Sequence, residues 1–297
     1  MGKVAAIQMT SSHVVADNLA AAGELLREAK DAGADIACLP ENFAFIGLRD
    51  ADKLKVAEAD GDGAAQTFLS DTARELKLWI LGGTIVIRGD SDRRVTNSSL
   101  LIDASGKRAA RYDKIHLFDV TIPGRDEQYR ESTHVAPGRE IVIADTPVGK
   151  LGLSVCYDMR FPELYRQLVA QGAEWLAMPA AFTVPTGRAH WETLLRARAI
   201  ENLSYVVAPA QAGTHTSGRE TYGDSIIVDY WGQVLSRLAK GSGVITADID
   251  LAKQAETRAR FPALDNRQLG LPSFAAVPAC TRAAPRQANR GLRSPRK

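Results

Sequence analysis

Cysteine is scarce in this 297-residue chain, with Cys38, Cys156 and Cys280 far apart and without paired spacing. The five histidines show no ligand pattern beside them, so neither a disulfide framework nor a zinc site is expected, and the usage fits a reducing compartment. Hydrophobic runs of membrane-spanning length are missing too. Residues 1–3 lead directly into an apolar run over 4–9 with no signal-peptide core or cleavage site, and Ala6 stands where a myristoylation signal needs Ser or Thr. A soluble cytoplasmic protein with no membrane partner is expected. Acidic residues are absent from residues 281–297, which hold five arginines and one lysine; six positive charges there, against +2 for the whole chain, leave residues 1–280 at −4. That stretch is too poor in apolar residues to fold and reads as a disordered, solvated tail rather than a nucleic-acid arm. The expected division is therefore one domain over 1–280 and a basic tail over 281–297, with no nucleic-acid partner.

What is present is ordinary for a globular chain with a full core: 45% hydrophobic and 24% charged residues. Residues 3–9 read as a strand, followed by a helix capped by Asp17, with Leu19, Ala22, Leu26 and Ala29 on one face and Gly33 ending it. Residues 35–39 form a short apolar strand that stops at Pro40-Glu41-Asn42-Phe43. Next come a helix over 64–76, a strand over 79–87, a charged turn over 88–94 and a hairpin turning at Ser105-Gly106. Residues 116–140 read as one long ordered loop of the kind that usually carries function. Strand 150–155, helix 162–172, strand 175–178, a turn over 179–187 and helix 189–202 follow. Strands over 205–208, 225–229, 234–238 and 244–249 complete the second half. Helices and strands alternate early in each half and hairpins close it, which predicts two related α/β halves with two sheets face to face and helices outside.

Cys156 sits at the carboxyl end of strand 150–155, and Pro162 suits the first turn of the next helix. Backbone N–H groups near that helix start are expected to push the thiol toward thiolate. Taken alone, Cys156 is as well explained as a small buried hydrophobe, Glu41 as a loop carboxylate and Lys114 as a solvated strand-end charge. Read together, Pro40-Glu41-Asn42-Phe43, the stretch from Tyr112 through Lys114 to Asp119, and the stretch from Ser154 through Cys156 to Glu163 resemble the Glu, Lys and Cys motifs of the nitrilase superfamily of carbon–nitrogen hydrolases. Asn97-Ser98-Ser99, Arg130-Glu131-Ser132, Thr186-Gly187 and the run from Ala189 to Glu201 resemble its amidase branch. The likeness covers about residues 3–250.

The resemblance implies a four-layer α-β-β-α sandwich of two face-to-face mixed sheets. It implies that Cys156 attacks an amide carbon to form a thioester, with Glu41 as base and acid. Lys114 and the Tyr157 backbone N–H would hold the oxyanion, Glu131 would orient Lys114 or substrate, and no metal or organic cofactor is needed. Tyr157, Arg160 and Phe182 are the expected substrate-binding residues; Arg160 could grip a carboxylate or merely pair with Glu163. The expected substrate is a small 2-oxo-dicarboxylate monoamide, foremost the deaminated form of glutathione, yielding 2-oxoglutarate and cysteinylglycine. Alternatives are 2-oxoglutaramate, an N-carbamoyl compound, a Cys–His hydrolase using His116, His190 or His215, and a catalytically silent binding protein. Arg188, Asp224 and Tyr230 depart from the branch pattern, the first two in stretches that could line a pocket. Leu164, Tyr165, Leu168, Trp191, Leu194 and Leu195 are expected to offer an apolar face for a homodimer or a larger homo-oligomer.

Overall fold

The computed structural model describes residues 1–91, 94–124 and 127–270. Its first half runs β1 (Gly2–Gln8), α1 (Val15–Asp31), β2 (Ile36–Cys38), α2 (Ala64–Leu76), β3 (Trp79–Leu81), β4 (Ile85–Ser91), β5 (Arg94–Ile102) and β6 (Arg108–Asp113). A small hairpin of β7 (Asp119–Thr121) and β8 (Gln128–Arg130) follows. The second half runs β9 (Ile143–Thr146), β10 (Gly149–Leu153), α3 (Pro162–Ala170), β11 (Trp175–Ala177), α4 (Val184–Asn202) and β12 (Tyr205–Ala208). It continues through β13 (Ala212–Thr214), β14 (Glu220–Tyr222), β15 (Ser225–Val228), β16 (Val234–Leu238), β17 (Gly243–Ile249) and α5 (Leu251–Arg260).

One sheet has the order β17-β1-β2-β3-β5-β4 with β6 beside β5, and the other β16-β15-β12-β11-β10-β9. β1 pairs in parallel with β2, and β10 with β11; the paired segments 4–6, 36–38, 151–153 and 175–177 are fully buried on both faces and carry no polar side chain. The period of two sorts those faces. Val4, Ala6, Ile36 and Cys38 point into the core shared with the second sheet, whereas Ala5, Ile7, Ala37 and Leu39 meet Ala22, Leu26 and Leu69 of α1 and α2. On the far side α3 and α4 bring Leu164, Leu168, Trp191 and Leu195 onto the second sheet. The expected four-layer sandwich results, and each fully buried Leu or Ile in it contributes roughly 1.5–3 kcal/mol.

Several elements differ from the sequence reading. α1 starts at Val15 with Asp17 inside its first turn, not as its cap; Asn18 does the local work, accepting from the Ser12 N–H at 2.7 Å. Strand 79–87 is broken into β3 and β4 at Gly82-Gly83, where Gly83 has φ 43 and a Cβ would lie 2.0 Å from the Pro40 carbonyl oxygen. α4 begins at Val184, because Pro185 fits a first turn as well as it fits a loop. The 116–140 segment is not a single loop, since β7, β8 and a 3-10 turn at Glu131–Thr133 fall within it. α5 was missed, although Asp250 is an ordinary N-cap that accepts from the Lys253 N–H. β17 leaves the second half altogether and runs antiparallel to β1 from Gly2↔Ile249 to Gln8↔Gly243, joining the two halves.

The apolar face assigned to α3 and α4 is also corrected: Leu164, Tyr165, Leu168, Trp191 and Leu195 are buried within the protomer and Leu194 packs on the same core. Helical stripes face the nearest sheet first, and here that sheet consumes them. Among the described residues no helix is long and apolar enough to cross a membrane. The basic tail over 281–297, the domain boundary at 280 and Cys280 lie outside the described residues.

Candidate active site

Glu41 follows β2, Lys114 follows β6 and Cys156 follows β10, so three strand ends bring their side chains to one cavity. Two non-glycine residues there, Asn42 (φ 57) and Cys156 (φ 49), take the left-handed conformation, which costs of order 1–3 kcal/mol. The strain at Cys156 is held by its own N–H donating to the Pro179 carbonyl at 2.9 Å and by the Val155 N–H donating to Asp158 Oδ2 at 2.8 Å. A 3-10 turn, Cys156–Arg160, intervenes before α3, so the thiol is not at the α-helix start.

Lys114, 2% exposed, donates from Nζ to Glu41 Oε1 and to Glu131 Oε2, each at 2.9 Å. Asn97 Nδ2 donates to the other side of the same pair, to Glu41 Oε1 at 3.1 Å and Glu131 Oε1 at 3.3 Å. Phe118 N–H fixes Glu131 Oε2 at 2.7 Å, and Gln211 Nε2 donates to the Glu41 carbonyl at 3.1 Å. Asn97 comes from the Asn97-Ser98-Ser99 stretch, but its bridging of two carboxylates had no sequence signal.

One cation between two carboxylates decides the charge states. Burial opposes the charge on Lys114, yet Glu131 and Glu41 raise its pKa well above the ordinary lysine value. Burial likewise works against ionised Glu131, but Lys114, Lys53 and the Phe118 N–H hold its carboxyl below the usual range. The Cys156 thiol goes the other way from the expectation of a resting thiolate. Burial and the Glu41 charge beside it push its pKa well up, outweighing Lys114 and the Ala181 N–H that donates to the sulfur. A second anion next to Glu41 would add to a cluster already carrying one surplus negative charge, so the proton stays on sulfur until a base removes it.

A pH-dependent labelling rate follows. Iodoacetamide should alkylate Cys156 slowly at neutral pH and keep accelerating above about pH 8.5, the ordinary thiol value, because a raised pKa delays the thiolate. Cys38 is fully buried and pushed up by burial alone, and should stay unlabelled in the folded protein. Mass spectrometry of a pH series checks both; a rate already level by about pH 7 would show a resting thiolate instead.

Asp158, fully buried, ties the Lys114 and Cys156 segments together. Its Oδ2 accepts from the Tyr112 hydroxyl at 2.7 Å and the Val155 N–H, while Oδ1 accepts from the His116 N–H at 3.0 Å. His116 Nδ1 also lies 2.7 Å from Asp158 Oδ1, and its ring stacks on Phe161 at 3.7 Å. That occupies the imidazole away from the thiol. His215 is buried between the Ser11 carbonyl and the Thr221 hydroxyl, and His190 lies beside Arg160. No histidine lines the cavity around Cys156.

Tyr157 and Phe182 line that cavity, but Arg160 does not. Its guanidinium lies over both rings, 5.8 Å from the Tyr157 centroid and 5.5 Å from that of Phe182, and meets His190 rather than Glu163. Among the described residues the cations that do line the cavity besides Lys114 are Lys53, Arg130 and Arg219; sequence reasoning named Arg130 only as part of the Arg130-Glu131-Ser132 stretch and the other two not at all. Arg188, Asp224 and Tyr230 lie elsewhere: Arg188 is exposed, Asp224 pairs with Arg237 at 2.5 Å and Tyr230 packs edge-on against Tyr205. Among the described residues no group of three or more His, Cys, Asp or Glu could hold a metal ion.

Comparison with known proteins places this geometry among relatives. Residues 3–259 match the family described as carbon-nitrogen hydrolase. A deaminated glutathione amidase of Synechocystis is 43% identical over 267 residues, covering 89% of this chain and 97% of its own. The human deaminated glutathione amidase is 42% identical over 269 residues, 89% of this chain and 82% of its own. Among solved structures, Nit3 of Saccharomyces cerevisiae, a member of the nitrilase superfamily, superposes with TM-score 0.81 at 30% identity, covering 90% of this chain and 97% of its own.

Proposed function

Because the chain belongs to the carbon–nitrogen hydrolase family, and is thus a thiol amidase cleaving non-peptide C–N bonds of small amides, we propose that its substrate is the deaminated form of glutathione. The products would be 2-oxoglutarate and cysteinylglycine. The observation carrying the catalytic part is Lys114 Nζ held 2.9 Å from both Glu41 and Glu131 in the cavity that holds Cys156. Identity above 40% to relatives named for that substrate supports the rest.

Glu41 takes the thiol proton as Cys156 sulfur bonds to the amide carbon, and the carbonyl oxygen becomes an oxyanion. Lys114 and the Tyr157 backbone N–H receive that charge, since a fixed cation in a dry site needs no reorganisation. Protonated Glu41 then gives the proton to the departing nitrogen, the C–N bond breaks and a thioester remains. Water enters, Glu41 takes a proton from it as its oxygen attacks the thioester carbon, and the acid leaves while the proton returns to sulfur. Glu131 acts through Lys114: its second carboxylate keeps the ammonium charged and stops it from binding Glu41 alone.

Steady-state kinetics on deaminated glutathione, 2-oxoglutaramate and an N-carbamoyl amino acid test the substrate. Deaminated glutathione should give the highest kcat/KM; a higher value on either of the others would replace this reading with ω-amidase or N-carbamoyl amidohydrolase activity. The catalytic domain is taken as residues 1–280 with the basic tail appended, in the cytoplasm, which cell fractionation would check.

A homodimer is retained on a different face. Ile200, Trp231 and Phe261 are 48%, 58% and 53% exposed, Trp231 and Phe261 in edge-on contact at 5.5 Å. Trp231→Glu should lower the mass seen by light scattering. A fully active wild-type monomer at micromolar concentration would overturn the dimer.

A further inference from the structure

Beyond the cavity at Cys156 lies a second, larger one of about 320 Å³, bordered by Phe45, Leu48, Arg49 and Ser217. The two share Asn42, Asp50, Lys53, Val86 and Arg219, which therefore form the neck between them. Lys53 belongs to the 3-10 turn Asp50–Lys55 of the first half, and Arg219 to the turn between β13 and β14 of the second. The two cations thus reach the neck from opposite halves of the fold.

Neither cation forms a contact ion pair among the described residues, although Lys53 acts on the Glu131 carboxylate from a distance. Arg219 donates from Nη2 to the Ala181 carbonyl at 3.0 Å and lies over the Tyr129 ring at 5.7 Å, while its buried Nε has no partner. Among the described residues Lys53 makes no ion pair, though Asp50, three positions earlier, also borders the neck. Arg130, by contrast, is spent on the Val120 and Tyr129 carbonyls at 3.3 and 2.8 Å. The cluster of Glu41, Glu131 and Lys114 carries a surplus negative charge that would repel an anionic substrate. Lys53 and Arg219 oppose that field where the substrate must pass.

We infer that Lys53 and Arg219 form a carboxylate subsite at this neck, which grips a carboxylate carried by the amide substrate at a distance from the scissile bond. The proposal rests on the preceding reading of an anionic amide substrate. Arg219 offers a planar fork and Lys53 a point charge, a pair suited to one carboxylate held from two sides. That carboxylate can belong to the acyl half or to the amine half.

Three amides tell these apart: a five-carbon dicarboxylic acid monoamide, the neutral pentanamide, and pentanoyl-cysteinylglycine. The wild type, Lys53→Met and Arg219→Gln are compared by the ratio of kcat/KM on each carboxylated amide to that on pentanamide, a ratio that cancels any loss of folded enzyme. Each substitution should lower the ratio tenfold or more, mainly through KM, and Lys53→Arg should restore most of it. Loss confined to the monoamide assigns the subsite to the acyl half, and loss confined to the dipeptide compound assigns it to the amine half. Variants that keep the wild-type ratio on both compounds would sink the subsite alone. A wild type with no preference for either carboxylated amide would sink the anionic-substrate reading itself.

Discussion

Cys156→Ala should abolish amide hydrolysis while leaving the protein folded. The sulfur is the atom that would bond to the substrate carbon, so its loss removes the thioester path rather than weakening it. The fold should tolerate the change because Cys156 is a small side chain at the cavity wall, 7% exposed. Its backbone is anchored by the Pro179 carbonyl and by Asp158, neither of which involves the sulfur. Cys156→Ser should be nearly as inactive, since a carboxylate is a poor base for a hydroxyl, and the site raises even the thiol's pKa well above normal. Turnover by either variant above a small fraction of wild type, with unchanged circular dichroism, would rule out the thioester mechanism.

Lys114→Ala should cost at least as much activity as any histidine substitution, about 10²–10³ in kcat, or roughly 3 kcal/mol or more of transition-state stabilisation. The same change strands Glu41 and Glu131 as buried, mutually repelling carboxylates, 5% and 11% exposed at their side chains. Breaking a buried pair in that way costs about 3–5 kcal/mol of stability. The sign of the pH dependence follows from the depressed Glu131 pKa. A group with a lowered folded pKa contributes stability above its unfolded pKa and loses it as pH falls through the folded value. The stability gap between wild type and Lys114→Ala should therefore be widest near neutrality and narrow toward acid pH, where the stranded carboxylates can protonate. Thermal denaturation at several pH values measures it. His116→Ala or His190→Ala being inactive while Lys114→Ala stayed active would establish the Cys–His alternative instead.

What could be read from the chain depended on the range of the interaction. Helix α2 over Ala64–Leu76 was read with its observed ends, because an amphipathic period and the Gly63 that precedes it are local signals. The α1 start was misplaced because Asp17 is a good cap by type, whereas the helix begins at Val15 after an N-cap, Val14, with no side-chain cap, and Asn18 inside it accepts from the Ser12 N–H. α4 was cut short because Pro185 and Gly187 resemble loop residues. Gly187 is there for packing, a Cβ at that position falling 2.2 Å from the Tyr222 ring.

By itself the sequence determined the succession of helices α1 to α4 and the main strands, though not β7, β8, β9, β13, β14 or α5, and the placement of Glu41, Lys114 and Cys156 at strand ends. Backbone preference and hydrophobic period act within a few residues, so the chain states them locally. Tertiary structure alone decided that Lys114 bridges Glu41, 73 residues away, and that Gln211 reaches Ser11 across 200. It alone moved β17 into the first sheet, consumed the apolar faces of α3 and α4, left Arg160 outside the cavity and brought Lys53 and Arg219 to its neck. It also reversed the expected state of Cys156, because a thiol's pKa follows from burial and from charges gathered through space, and no stretch of the chain carries that sum.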